Sequence, residues 1–303
     1  MTARMGGMGA VRMHEDELDI DVSVVGRLIA GQFPRWAGLP LRRLESSGTE
    51  NAMFRLGADK VVRLPRHPRA VEAIAHELRW LPRLGPALPV AAPEALGRGE
   101  PGDGFPWPWA VYGWLDGRNP EPGALDEPAL LAQDLAAYVT ALRRVDASEG
   151  PPGYRGVPLA ARDAFMREAL AQLAGRVDTA AVTKAWEAAL RAPEHTGPPV
   201  WAHGDLMAGN LLVEGGRLSA VIDYGTAGVG DPAVDLIAAW CLLPAAARGV
   251  FREAVGAGEA EWARARGWAL SIAVIALPYY WDTNPPVAAN SRHVLGEIAA
   301  ETA

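Results

Sequence analysis

Two carboxylates and an amide within one short stretch of this chain could form a reaction centre. Asp205 and Asn210 stand five residues apart in His203-Gly204-Asp205-Leu206-Met207-Ala208-Gly209-Asn210-Leu211-Leu212-Val213, and Asp223 follows in Val221-Ile222-Asp223-Tyr224-Gly225. Together they supply one proton acceptor and two hard oxygen ligands. Phosphoryl transfer asks for such a set. Its transition state has little covalent character, so a protein must position the reactants and neutralise phosphate oxygens. A carboxylate facing the acceptor hydroxyl takes its proton, while magnesium takes one or two protein oxygens and completes its octahedron with phosphates and water. A β-hairpin with aspartates in its turns would explain Asp205 or Asp223 singly. It does not explain both with Asn210 at that spacing.

The Asp-to-Asn step matches that of the kinase catalytic loop, and an Asp-aromatic-Gly triplet follows the next strand pair. The segment resembles the catalytic core of the protein-kinase-like superfamily. His-Gly-Asp at 203–205, Gly-Asn-Leu-Leu-Val at 209–213 and Gly-Val-Gly-Asp-Pro-Ala-Val-Asp-Leu at 228–236 resemble the aminoglycoside phosphotransferase family more closely. The resemblance covers residues 40–285 and implies a bilobal α+β fold. A small antiparallel sheet with one key helix would form the N-terminal lobe, and a larger, mainly helical lobe would follow. By the same resemblance, Asp205 is the catalytic base, Asn210 and Asp223 are magnesium ligands, and Asp235 braces the catalytic loop. His203 reads as packing against that loop rather than shuttling protons, and Asp231 as a helix cap.

On the nucleotide side, Glu77 lies three residues after Ile74 and four before Leu81, on the apolar face of its helix. A carboxylate there is costly unless paired. The kinase scheme pairs it with a basic residue of the third strand that also holds phosphates. In Val61-Val62-Arg63-Leu64 that residue is Arg63, where the family usually has lysine. Only Lys60 and Lys184 are lysines; Lys60 has the opposite strand parity and Lys184 belongs to a later helix. The competing reading leaves Arg63 and Glu77 on the surface. Ser46-Ser47-Gly48-Thr49-Glu50-Asn51 stands where the family has its nucleotide-covering loop, with Gly48, Thr49 and Asn51 near the phosphates; an ordinary hairpin turn fits nearly as well. Tyr112-Gly113-Trp114-Leu115 resembles the adenine hinge, which would use the backbone of Gly113 and Leu115.

Periodicity places the elements that must hold these groups. A first helix is expected over Asp19–Phe33, and strands over Leu41–Ser46, Ala52–Leu56 and Lys60–Leu64, the last two joined by a tight turn. A helix over Ala70–Leu84 and a strand over Trp107–Trp114 complete a nucleotide-binding lobe of residues 1–113, which opens with a flexible leader to about residue 15. Residues 114–303 form the catalytic and acceptor lobe. Helices are expected there over Asp126–Val145, Leu159–Leu173 and Asp178–Leu190, then a strand-rich island from Val200 to Asp223. Asp231-Pro232 opens the next helix, and two or three more end the chain. The aromatic series Trp107, Trp109, Tyr112 and Trp114 reads as strand and hinge packing rather than a base-stacking platform. Trp268, Tyr279, Tyr280, Trp281 and Asp282 read equally as an acceptor pocket or a helix end.

Composition bounds the function. The 303 residues carry 29 Lys+Arg against 36 Asp+Glu, a net charge of −7. That disfavours a general nucleic-acid binder, which needs a basic face, and suits a cationic small molecule. Cys241 is the only cysteine, so no intramolecular disulfide forms. The start carries no secretory signal pattern, and the longest apolar run, Ala269–Leu277, is too short to span a bilayer; the expectation is a cytoplasmic protein with no membrane, nucleic-acid or obligate protein partner. The segment after Asp223 reaches Gly-Asp-Pro within eight residues, which leaves no room for the activation segment of a protein kinase. The resemblance thus implies magnesium-dependent transfer of the terminal phosphoryl group of ATP or GTP to a hydroxyl of a small-molecule acceptor. Antibiotic resistance would be the role, with aminoglycosides first and macrolides or nucleoside antibiotics next. Alternatives are a metabolic kinase for a sugar or amino alcohol and a nucleotide-binding regulatory protein.

Overall fold

A computed structural model describes residues 18, 20–44 and 50–302. The expected leader lies outside these residues, as do Gly48 and Thr49. The chain divides into two compact units. The first runs to Ile74 and resumes over Ala95–Gly113; the second takes Ala75–Glu94 and the chain from Trp114 onward.

The first unit opens with α1 (Val22–Gln32). Asp21 caps it by accepting from the Ser23 N–H at 2.8 Å, so the helix starts later than Asp19. β1 (Leu41–Arg43), β2 (Asn51–Leu56) and β3 (Lys60–Pro65) follow. β2 and β3 form the expected hairpin, in register from Asn51↔Pro65 to Leu56↔Lys60, with Gly57 at φ 62° in its turn. Beyond α2 (Pro68–Leu84), inside which the unit boundary falls, come β4 (Ala95–Gly99) and β5 (Trp109–Gly113). The antiparallel sheet has the order β1-β2-β3-β5-β4. Ala52, Phe54 and Leu56 alternate along β2 and pack with Val62, Leu64 and Val111 in one core with Val25, Leu28 and Ile29 of α1. Trp109 and Tyr112 are buried, and Trp109 Nε1 donates to the Glu100 carbonyl at 3.1 Å, so these rings serve strand packing.

The sequence reading contains no β4, because Glu94-Ala95-Leu96-Gly97-Arg98-Gly99 has the glycine content of a loop. Two aromatic rings explain the glycines. A Cβ on Gly97 would lie 2.6 Å from the Phe33 ring, and one on Gly99 would lie 2.0 Å from the Trp109 ring. The strand pairs with β5, and the rings take the space that side chains at Gly97 and Gly99 would need, which erases its local signal.

The second unit contains α3 (Pro128–Arg143), α4 (Asp163–Gln172) and α5 (Thr179–Leu190), then β6 (Val200–Ala202), β7 (Leu211–Glu214), β8 (Arg217–Val221) and β9 (Gly228–Gly230). α6 (Ala238–Cys241), α7 (Ala245–Val255), α8 (Glu259–Tyr280) and α9 (Pro285–Thr302) complete it. β6 pairs with β9 and β7 with β8, both antiparallel. Asp178 caps α5 by accepting from the Ala181 N–H at 3.0 Å. The helix expected from Leu159 begins instead as a 3-10 turn over Leu159–Arg162. Asp231 does cap the next helix, accepting from the Ala233 N–H at 2.9 Å, and Pro232–Ile237 is 3-10 in form before α6 continues it. Among the described residues no helix is long and apolar enough to cross a membrane.

α8 is buried along most of its length and packs against α4, α5, α9 and the Pro232–Ile237 turn. Arg264 of α8 grips Asp231 through Nε and Nη2 at 2.6 and 3.1 Å and donates from Nη1 to the Pro193 carbonyl at 2.7 Å. Both side chains of this pair are buried. Arg264→Met strands the carboxylate at a cost of about 3–5 kcal/mol, so thermal denaturation should show a clearly lowered midpoint. Adding Asp231→Asn, which keeps the cap and removes the charge, should recover much of it.

Candidate active site

β6 delivers the chain to His203-Gly204-Asp205, where the backbone makes a tight turn. Gly204 sits at φ 79°, and a Cβ there would lie 3.2 Å from the Thr226 carbonyl oxygen, so both conformation and space demand glycine. The buried Asp235 braces the turn: its two oxygens accept from the N–H groups of His203 and Gly204, each at 2.8 Å. Burial pushes the Asp235 carboxyl up from its usual value, and the hydrogen bonds from these two N–H groups work in the opposite direction. The sequence expectation for Asp235 as a brace agrees with this geometry.

His203 is also buried, and both ring nitrogens face the backbone. The Asp205 N–H donates to Nδ1 at 3.2 Å, which leaves the proton on Nε2; that nitrogen bonds the Ile222 carbonyl at 3.1 Å. The ring is thereby a spacer between two strands of the site, with no nitrogen left to shuttle protons.

Asp205, Asn210 and Asp223 come together through the β7–β8 hairpin. The 3-10 turn Ala208–Asn210 runs into β7, and the Ile222 N–H donates to the Asn210 carbonyl at 2.9 Å. This bond extends the hairpin by one step and sets Asn210 and Asp223 at the same open end. The Asn210 amide nitrogen donates to the Asp205 carbonyl and to Asp205 Oδ2, both at 2.9 Å. Asp223 adopts φ 65°, ψ 68°, a left-handed conformation that costs energy in a residue with a Cβ. Its neighbour is anchored on both sides: the Tyr224 N–H donates to Glu77 Oε1 at 2.7 Å, and the Tyr224 hydroxyl bonds that of Tyr138 at 3.0 Å. Burial raises the pKa of both phenols, so they remain neutral donors.

Arg63 and Glu77 are both buried, which rules out the surface reading. Glu77, in the second unit, holds the Asp223 turn through Tyr224. Arg63, in the first, points its Nε and Nη2 at Asn51 of the paired strand, whose amide oxygen accepts both at 3.0 Å when turned toward the guanidinium. Lys60 ion-pairs with Asp59 at 2.7 Å in the hairpin turn. Gly113 closes β5 opposite Lys60, and Leu115 follows two residues beyond the strand.

Two residues absent from the sequence reading touch the loop. The Asn119 amide donates to the carbonyls of Ala208, Gly209 and Leu211 at 3.3, 3.0 and 2.8 Å. Arg155 donates from Nη1 to the Gly204 carbonyl at 2.8 Å and ion-pairs with Asp205 Oδ1. Burial opposes the Arg155 charge, but Asp205 outweighs it and the pKa is raised, so the guanidinium stays ionised. Neither residue lies in a periodic segment; Arg-Asn-Pro and Gly-Tyr-Arg-Gly read as loop. Cys241 is buried and its thiol is pushed up to about 12, first by burial and then by Asp205, which removes it as a nucleophile.

A small antiparallel sheet in one unit, with a mainly helical second unit carrying this loop and hairpin, defines a protein-kinase-like phosphotransferase fold. The family model described as the phosphotransferase enzyme family, APH, matches residues 41–268, and the chain belongs to that family. The structure is similar to the GDP complex of wild-type aminoglycoside 2'-phosphotransferase-IIIa, at 19% identity and TM-score 0.74, covering 94% of this chain and 100% of that one. It is similar to the gentamicin–APH(2")-IIa complex at 18% identity and TM-score 0.61, covering 93% and 99%. Macrolide 2'-phosphotransferase MphH from Brachybacterium faecium, an apoenzyme, matches at 29% identity and TM-score 0.58, covering 92% and 97%. No curated protein sequence gives a significant match.

Asp235→Ala leaves two buried N–H groups without an acceptor, at about 1–3 kcal/mol each. The expected outcome is a lowered thermal midpoint together with a large loss of phosphotransferase turnover; Asp235→Asn, which keeps one acceptor oxygen, should fall between.

Proposed function

We propose that this chain transfers the terminal phosphoryl group of ATP or GTP to a hydroxyl of an antibiotic, with magnesium as cofactor. The observation that carries the reading is the convergence of Asp205, Asn210 and the strained Asp223 at one end of the β7–β8 hairpin. Asp205 is the base: its carboxylate accepts the proton of the acceptor hydroxyl as that oxygen bonds to phosphorus, and the nucleoside diphosphate leaves. Asn210 and Asp223 hold the metal. Their donors are an amide and a carboxylate oxygen, the hard ligands that magnesium prefers. With the Asn210 nitrogen committed to Asp205, its oxygen is the group left to face a cation. Among the described residues no three His, Cys, Asp or Glu side chains converge as a cage. That suits an ion whose shell is completed by phosphates and water. When bound, such an ion neutralises the phosphate oxygens and orients the chain for in-line attack.

On the donor side, Arg63 takes the phosphate-holding role usually given to lysine, and Asn51, whose amide faces its guanidinium, is assigned to the same phosphates. The backbone of Gly113 and Leu115 is assigned to the purine. Structures of relatives containing GDP and ADP support a nucleotide donor. For the acceptor, our reading ranks macrolides ahead of aminoglycosides, which the sequence reading had ranked first; the support is the 29% identity with a macrolide phosphotransferase against 19% with an aminoglycoside one.

The test incubates the enzyme with magnesium, ATP or GTP, and a panel of macrolides, aminoglycosides, nucleoside antibiotics, sugars and amino alcohols, and follows product masses. A phosphate-sized gain on a macrolide is expected; a gain confined to a sugar or amino alcohol overturns the antibiotic assignment. Asp205→Asn should lower turnover by about 10²–10⁴ with nucleotide affinity nearly unchanged. Asp223→Ala should abolish the magnesium dependence of nucleotide binding measured by titration calorimetry.

A further inference from the structure

Arg155 reaches Asp205 from a segment that belongs to no helix or strand of its own. Residues 151–156 run along β9. The Val229 N–H donates to the Pro151 carbonyl at 2.8 Å, the Gly153 N–H to the Val229 carbonyl at 3.0 Å, and the Asp231 N–H to the Gly156 carbonyl at 2.9 Å. Glycines permit so close an approach. A Cβ on Gly228 would lie 2.5 Å from the Gly153 Cα, and one on Gly230 would lie 2.8 Å from the Gly156 carbonyl oxygen. The backbone is therefore clamped on both sides of Arg155 before any ligand binds.

From that platform the guanidinium takes one oxygen of the Asp205 carboxylate and Asn210 takes the other. The side chains of Arg155 and Asp205 are 18% and 24% exposed, so the pair is largely withdrawn from water. Desolvating a cation is costly, and the loop backbone already has its brace in Asp235. What Arg155 adds is a second fixed point on the carboxylate itself, from outside the loop. Resting on Asp205 as the base, we propose that Arg155 is a positioning residue: it holds the Asp205 carboxylate in the single orientation that receives the acceptor proton.

The consequence is a specific kinetic signature. Arg155→Met should lower kcat by roughly 10²-fold, the scale of a misplaced reacting group, while KM for nucleotide and acceptor changes little. Arg155→Lys, which keeps the charge and one donor contact, should recover part of that loss. The effect passes through the carboxylate, so Arg155→Met should cost far less in an Asp205→Asn background, read by single-turnover phosphorylation over long incubations. Thermal midpoints and magnesium-dependent nucleotide binding check the fold of each variant. Arg155→Gln, which can still donate to the Gly204 carbonyl, replaces methionine where that variant is unstable and should show the same kcat loss. An unchanged kcat, an equal loss in both backgrounds, or a loss confined to KM overturns the proposal. Near-normal turnover by Asp205→Asn alone instead overturns the base assignment, so the two failures are distinct.

Discussion

A carboxylate buried away from water is among the more expensive groups a fold can contain, and Asp235 is such a group. Its two oxygens meet the N–H groups of His203 and Gly204 at hydrogen-bonding distance, which compensates the burial and freezes the backbone that carries Asp205. The frozen loop then fixes the rest. His203, held at its own N–H, turns one ring nitrogen to the Asp205 N–H and the other to the Ile222 carbonyl. Ile222 in turn is bonded to Asn210. The backbones of Asp205 and Asn210 are thus tied to a single buried carboxylate through a chain of hydrogen bonds.

The strain at Asp223 shows how local cost is distributed. Among the described residues only Asp103 and Asp223 are non-glycine residues with positive φ. At Asp223 the surrounding structure over-determines the conformation: β8 leads into it, Glu77 grips the next N–H, and the buried Tyr138–Tyr224 pair anchors the following ring. Strain that persists under such constraint is typical of sites where a side chain must project in an otherwise unfavourable direction. The residue stands one step beyond the Ile222–Asn210 backbone bond that closes this end of the hairpin.

The same frame accounts for why family membership defines a reaction class more firmly than an acceptor. The loop and hairpin are built from backbone hydrogen bonds and a few buried side chains. Acceptor choice depends instead on side chains that the frame leaves free to vary. Solved relatives with different acceptors, an aminoglycoside phosphotransferase bound to gentamicin and a macrolide phosphotransferase, accordingly share the fold with this chain.

Features whose cause is local were legible in the sequence. The β2–β3 hairpin, the extent of α5 and the Asp231-Pro232 start follow from alternation, turn residues, helical spacing and capping, all of which act within a few residues. Asp205, Asn210 and Asp223 could be read as one candidate set because the loop and hairpin that carry them are contiguous in sequence. Tertiary structure decided the rest, where the reason lies far along the chain. β4 forms on its pairing with β5, and its glycines answer to the Phe33 and Trp109 rings packed close against them. Arg155 finds Asp205 fifty residues away, and Asn119 holds carbonyls about ninety residues away, each from a segment without periodicity. Spacing in sequence records the geometry of one element; it cannot record which loop another element will press against, because that is settled only when the cores close.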